Sequence, residues 1–198
     1  MPRASTTAPS VRRRLPARLD QGPPLVLDGP TGTALEDRGI PLPPPLWSLG
    51  AVRGHTDALA AVHRGYVDAG ADVVTTATFH AHPRTLAEAR VEDPEGLVEE
   101  AVAVARMVGA PYVAGGLGPV ADCYRPQDVP DDEAWGVLPN GGTGDPRHAF
   151  RGAAPVPRAE FQAFAGRMAQ EGAAVLGSCC GSPVAFTADA ARAARPRR

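Results

Sequence analysis

The sequence contains no lysine: all 20 of its basic residues are arginine, set against 22 acidic ones for a formal net charge of −2. The arginines are dispersed along the chain, which excludes the dense basic stripe that nucleic acid or an anionic membrane surface requires. A small molecule is the expected partner. Aromatic residues make up only 5% of the chain, and no apolar run approaches the roughly 18 residues of a membrane span. Cysteine is scarce as well. There are three, and two of them, Cys179 and Cys180, are adjacent. Neighbouring cysteines bridge each other only through a strained ring, so a disulfide framework is excluded and a reducing, cytoplasmic setting is expected.

Proline and glycine are plentiful, at 22 residues each, and they divide the chain into segments. Residues 1–22 combine Arg, Ser and Thr with Pro2, Pro9 and Pro16. The prolines spoil an amphipathic presequence helix, so this stretch is expected to be a disordered tail preceding a single domain over 23–198. "PPLVLDG" (23–29) reads as a buried strand feeding a turn. A helix is predicted over 55–70, a β-branched strand over 71–79, a second helix over 94–110 and a third strand over 111–119. From Val120 to Gly152 the rhythm breaks into Pro, Gly and Asp, with "WGVLPN" (135–140) as a brief strand candidate. Regularity resumes with a helix over 158–173, a strand over 174–180 and a closing helix from Ser182. The alternation of strand and helix predicts an α/β protein with a parallel sheet.

The chemistry concentrates in "LGSCCGS" (176–182). Successive side chains of a strand point to opposite faces, so two adjacent thiolates share one metal only where the backbone leaves strand geometry, and flanking Gly177 and Gly181 permit that. Zinc takes thiolate ligands and, when catalytic, leaves a fourth position open beyond three protein ligands. Two small buried hydrophobes are the other reading of the pair.

Four segments in order carry a resemblance: "LDGPTGTALEDRG" (27–39), "HRGYVDAGADVVTTATFHAHP" (63–83), "AGGLGPVADCYRP" (114–126) and "GSCCGS" (177–182), with "LWS" (46–48) between the first two. Together they resemble the zinc-dependent homocysteine S-methyltransferases. The resemblance implies a (βα)8 TIM barrel with its site at the C-terminal ends of the strands. It implies Cys179 and Cys180 as zinc ligands and Asp28, Gly29 and Thr78 as substrate-binding residues. The implied reaction moves a methyl group from a sulfonium donor, S-methylmethionine or S-adenosylmethionine, to the thiolate of homocysteine and yields methionine; selenocysteine is an alternative acceptor. No protein nucleophile is needed. Asp28 is also readable as a carboxylate that organises its own turn.

The chain departs from that pattern around 120–140, where about three βα units of the family are absent. Strands four to six are expected to be missing, which leaves an incomplete barrel of about five units. With those strands go the third zinc cysteine and a substrate-binding glutamate, and Ser178 replaces a glycine. Cys123, His80 and His82 follow strands and are candidate substitute ligands, although ordinary loop roles suit them too. His55, His63 and His148 are assigned no role. The alternative to an active enzyme is an inactive, internally deleted remnant. In either case the unpaired sheet edges point to self-association.

Overall fold

The structure is a computed structural model and describes residues 18–19, 22–118, 157–178 and 182–195. Four short strands and seven helices are ordered along the described chain, with one 3₁₀ turn. β1 (Leu25–Val26) leads to α1 (Thr31–Glu36), a 3₁₀ turn (Trp47–Gly50), α2 (Ala51–Gly54) and α3 (Thr56–Asp68). β2 (Val73–Thr75) is followed by α4 (Pro83–Glu88), α5 (Pro94–Met107) and β3 (Tyr112–Ala114). α6 (Arg158–Gln170), β4 (Val175–Leu176) and α7 (Val184–Ala194) complete the described chain. The fold is mixed α/β, as the alternation predicts.

β1 pairs in parallel with β4, and β2 in parallel with β3. A parallel bridge from Leu27 to Val73 joins the two pairs, so the order across the sheet is β4-β1-β2-β3. The last strand therefore lies beside the first. One face of this sheet meets helices: Val26 and Leu176 pack against Phe161 and Met168 of α6 and Ala190 of α7, while Val74 and Val113 pack against Ala105 of α5 and neighbouring Val108. A larger core joins Leu35, Leu49, Leu59, Val62, Leu97 and Val104 between α1, α2, α3 and α5.

Helix boundaries follow local chemistry. α3 exposes Asp57, Arg64 and Asp68 and buries Leu59, Val62, His63 and Tyr66 at helical spacing. It stops at Gly70, whose φ of +103° suits glycine, and a side chain there would strike the Ala191 Cβ of α7 at 2.7 Å. Asp93 caps α5 by accepting from the Gly96 N–H at 3.1 Å, with Pro94 at the first helical position.

The strands are shorter than the sequence suggests. The run 71–79 forms a strand only over Val73–Thr75, because beyond it the hydroxyls of Thr76 and Thr78 bond across to Gly116 rather than continuing the ladder. α1, α2 and α4 are not anticipated by the periodicity, being only four to six residues long. Part of the strand read over 174–180 and the whole candidate at 135–140 lie outside the described residues.

Candidate functional site

The four strands run parallel, so their C-terminal ends share one rim of the sheet. Asp28 stands there, two residues past β1, and is buried. The Thr75 backbone N–H donates to its Oδ2 at 2.8 Å, and the Thr75 hydroxyl donates to its Oδ1 at 2.8 Å. Its own N–H donates to the Val73 carbonyl at 2.9 Å. Burial pushes the Asp28 carboxyl up to about 6, and the two bonds from Thr75 oppose that rise without cancelling it. The group is ionised at neutral pH and loses its charge in mildly acid solution. Each carboxylate oxygen accepts once from Thr75 and retains capacity for a further donor.

Gly29 is required by close packing. A Cβ at this position would lie 2.7 Å from the Tyr66 ring, which passes directly beneath it from α3. The fully buried Tyr66 hydroxyl donates to the Pro30 carbonyl at 3.3 Å. Burial pushes the phenol well above its ordinary range, and the nearby Asp28 charge adds to the effect.

Thr78 belongs to a second, closed arrangement. The Gly116 N–H donates to Thr76 Oγ1 at 3.2 Å, the two threonine hydroxyls are 2.7 Å apart, and Thr78 Oγ1 donates to the Gly116 carbonyl at 2.8 Å. Since Thr78 spends its one hydrogen on Gly116, Thr76 is the donor between the two hydroxyls. This ring ties the end of β2 to the end of β3. Beyond it, His80 stacks on Trp47 with centroids 6.1 Å apart and meets Phe79 edge-on at 5.1 Å. Trp47 holds a positive φ of 49°, an uncommon conformation for a non-glycine residue.

Cys179, Cys180 and Cys123 lie outside the described residues. Of the other candidate ligands, His82 caps α4: its Nδ1 accepts from the Thr85 N–H at 3.4 Å, and Nε2 lies 2.7 Å from the Thr85 hydroxyl. Among the described residues no group of three His, Cys, Asp or Glu side chains is disposed to hold a metal. The Ser178 hydroxyl, immediately before the cysteine pair, is buried without a protein partner. Two adjacent thiols are chemically suited to zinc, which takes three protein ligands at a catalytic site.

Three residues that sequence reasoning overlooks are prominent in the structure. Thr75 orients Asp28, and its signal was its position at the end of the strand following β1. Tyr66 reads in the sequence only as one of several apolar helix positions. His63, read as a surface or helix residue without a role, is in α3 but is completely buried, and neither ring nitrogen has a hydrogen-bond partner.

A family model described as Homocysteine S-methyltransferase matches residues 25–136, more than half of the sequence. The chain belongs to the homocysteine S-methyltransferase family. The Homocysteine S-methyltransferase of Escherichia coli is 33% identical over 102 residues, covering 50% of this chain and 33% of the relative. The S-methylmethionine–homocysteine S-methyltransferase BHMT2 of Rattus norvegicus is 36% identical over 118 residues, 58% of this chain and 31% of that protein. The Selenocysteine Se-methyltransferase of Brassica oleracea var. italica is 32% identical over 83 residues, 40% of this chain and 24% of that one. The match thus spans about a third or less of the length of each of these relatives. In fold, it is similar to the metallated form of the homocysteine methyltransferase MmuM from Escherichia coli, with a TM-score of 0.64 at 19% identity, over 89% of this chain and 98% of the solved one. No helix among the described residues is long and apolar enough to cross a membrane.

Proposed function

We propose that this chain is a homocysteine S-methyltransferase-like protein of the cytoplasm whose rim binds the amino-acid part of homocysteine through Asp28, with a sulfonium compound as methyl donor and methionine as product. The observation that carries the reading is the Asp28 carboxylate, buried at the C-terminal end of β1 and held in one orientation by both donors of Thr75. A fixed, ionised carboxylate with spare acceptor capacity suits a substrate ammonium group. The tight Gly29 backbone on Tyr66 leaves the approach to it free of side chain. Thr78 stands on the same rim, and its oxygen keeps one lone pair beyond the ring it shares with Thr76 and Gly116.

Cys179 and Cys180 would hold zinc. When bound, the metal lowers the pKa of a thiol, so that homocysteine is presented as thiolate near neutral pH. The other residues do not touch this chemistry: Asp28 orients the amino acid, and Thr75 orients Asp28.

A second reading, that of an incomplete (βα)8 barrel surviving as an inactive remnant, is favoured by a specific observation. The stretch from Gly118 to Pro157 is too short for three further βα units of about 30 residues each.

Calorimetric titration with homocysteine, alongside methionine formation from S-methylmethionine, separates the two. Binding and turnover that are both lost in Asp28→Asn, with turnover lost in Cys179→Ser or Cys180→Ser, are the expected outcome. Absence of both binding and turnover in the zinc-loaded chain would leave the remnant.

A further inference from the structure

The four-stranded sheet has two open edges among the described residues, and they are complementary. In β3, the Tyr112 N–H donates to Asp72 and the Ala114 carbonyl accepts from Thr76, both toward β2. Alternate residues of a parallel strand bond to the same side, so the N–H and carbonyl of Val113 turn outward. In β4, the Ala174 and Leu176 carbonyls accept from Leu25 and Leu27 of the β1 side at 2.8 Å each, which turns the backbone of Val175 outward. One edge thus ends on Val113 and the other on Val175, with both strands running in the same direction.

Large apolar side chains are exposed near both edges. Leu117, three residues past β3, is 92% exposed; Val175 of β4 is 42% exposed, and Phe164 of the adjoining α6 is 48% exposed. The stretch between β3 and β4 outside the described residues, 119–156, amounts to about 38 residues. A single βα unit takes about 30. That stretch cannot furnish the four further strands, with their helices, that a one-sided parallel sheet of this kind needs in order to close at eight.

We propose that a second copy of this chain closes the sheet, giving a two-fold dimer in which β3 of each copy pairs in parallel with β4 of the other. Rotation by half a turn about an axis along the strands carries the order β4-β1-β2-β3 onto its continuation, so all eight strands run in one direction. Both pairs of edges are then satisfied at once. The contact is of unlike edges, and it closes at two copies because each contributes half of a ring. Helices stay outside, where Val26, Leu176, Val74 and Val113 already meet them. Each copy brings its own Asp28 to the shared rim. The inference rests on strand order and edge chemistry and does not depend on the activity proposed above.

The test is the mass of the full chain by analytical ultracentrifugation across a broad concentration range. Twice the chain mass is expected, as one species with cooperative unfolding. Val113→Pro and Val175→Pro each remove an outward N–H and no bond of the existing ladder, a position where a free edge tolerates proline. Each variant should therefore remain folded by circular dichroism while its dimer fraction falls at least tenfold in association constant. Mixing the two variants restores one unaltered β3–β4 contact per pair, so the mixture should contain more dimer than either variant alone. A monomer at all concentrations, growth beyond two copies, unchanged dimerisation of folded Val113→Pro, or no gain on mixing would each overturn the proposal. Val175→Lys, which puts a charge on the same edge without altering the backbone, should also weaken the dimer; if both proline variants unfold, an undiminished Val175→Lys dimer overturns it.

Discussion

Asp28 and His63 are buried ionisable groups whose pKa values move in opposite directions. Burial raises Asp28 from 3.8 to about 6, so the folded protein binds a proton more tightly there than the unfolded chain does. The associated stability is full below pH 3.8 and is lost as pH rises through 6. Burial lowers His63 from 6.5 to about 4, and the stability linked to the neutral ring is full above pH 6.5 and is lost as pH falls through 4. At about 1.4 kcal/mol per pKa unit, each effect amounts to about 3 kcal/mol. Asp28→Asn should therefore gain stability relative to the parent by about 2 to 3 kcal/mol between pH 4 and pH 7, as measured by urea unfolding at each pH. Its Asn amide cannot accept both Thr75 donors, so the comparison is of slopes rather than of absolute values. His63→Leu should flatten the acid arm: the parent loses about 3 kcal/mol relative to the variant between pH 7 and pH 4. No pH-dependent difference would show that water reaches the ring. The aspartate was legible in the sequence as part of an Asp-Gly turn, but its partner Thr75 lies 47 residues away and is identified only by register. His63 was illegible, since a helix of mixed polarity does not reveal which of its polar residues faces inward.

At the scale of the element, α6 depends on α7. Ala165 is the one buried residue of α6 among those described, so the helix contributes little apolar burial of its own. It is held by Asp189 of α7, whose side chain is completely buried. That carboxylate accepts from Arg158 Nε at 2.7 Å and Nη2 at 2.9 Å, and from Gln162 Nε2 at 3.1 Å, and it also pairs with Arg192. Phe161 stacks on Phe186 at 4.3 Å beside it. Because both arginines are more than half exposed, they return to water when the carboxylate is removed, which limits the loss. Asp189→Ala should cost about 1 to 3 kcal/mol in chemical denaturation and should increase amide exchange selectively in α6. Loss confined to α7 would contradict this dependence. Both helices were legible as apolar periodicities, whereas their latch was not: Arg158 and Asp189 are 31 positions apart, and nothing in either segment marks the pairing.

Across the whole molecule, the chain's last described helix returns to its beginning. Arg195 of the α7 terminus pairs with Asp72, and the same carboxylate accepts from the Val26 N–H at 3.0 Å. The opposed titrations of Asp28 and His63 also meet at this scale, and between pH 4 and 6 they offset one another in the parent protein. The sequence by itself determined the alternation of strand and helix, the parallel class of the sheet and the family, because short apolar runs, glycine stops and contiguous motifs are local signals. It also located Asp28 and Gly29, since an Asp-Gly turn at a strand end is local too. Tertiary structure alone decided that β4 lies against β1, that Thr75 and Tyr66 flank the Asp28–Gly29 turn, that His63 is buried, and that β3 and β4 are the strands at the two edges among the described residues. Each of these depends on which distant segments lie side by side, and strand neighbours are set by packing and hydrogen bonding over the whole chain rather than by the residues within any one strand.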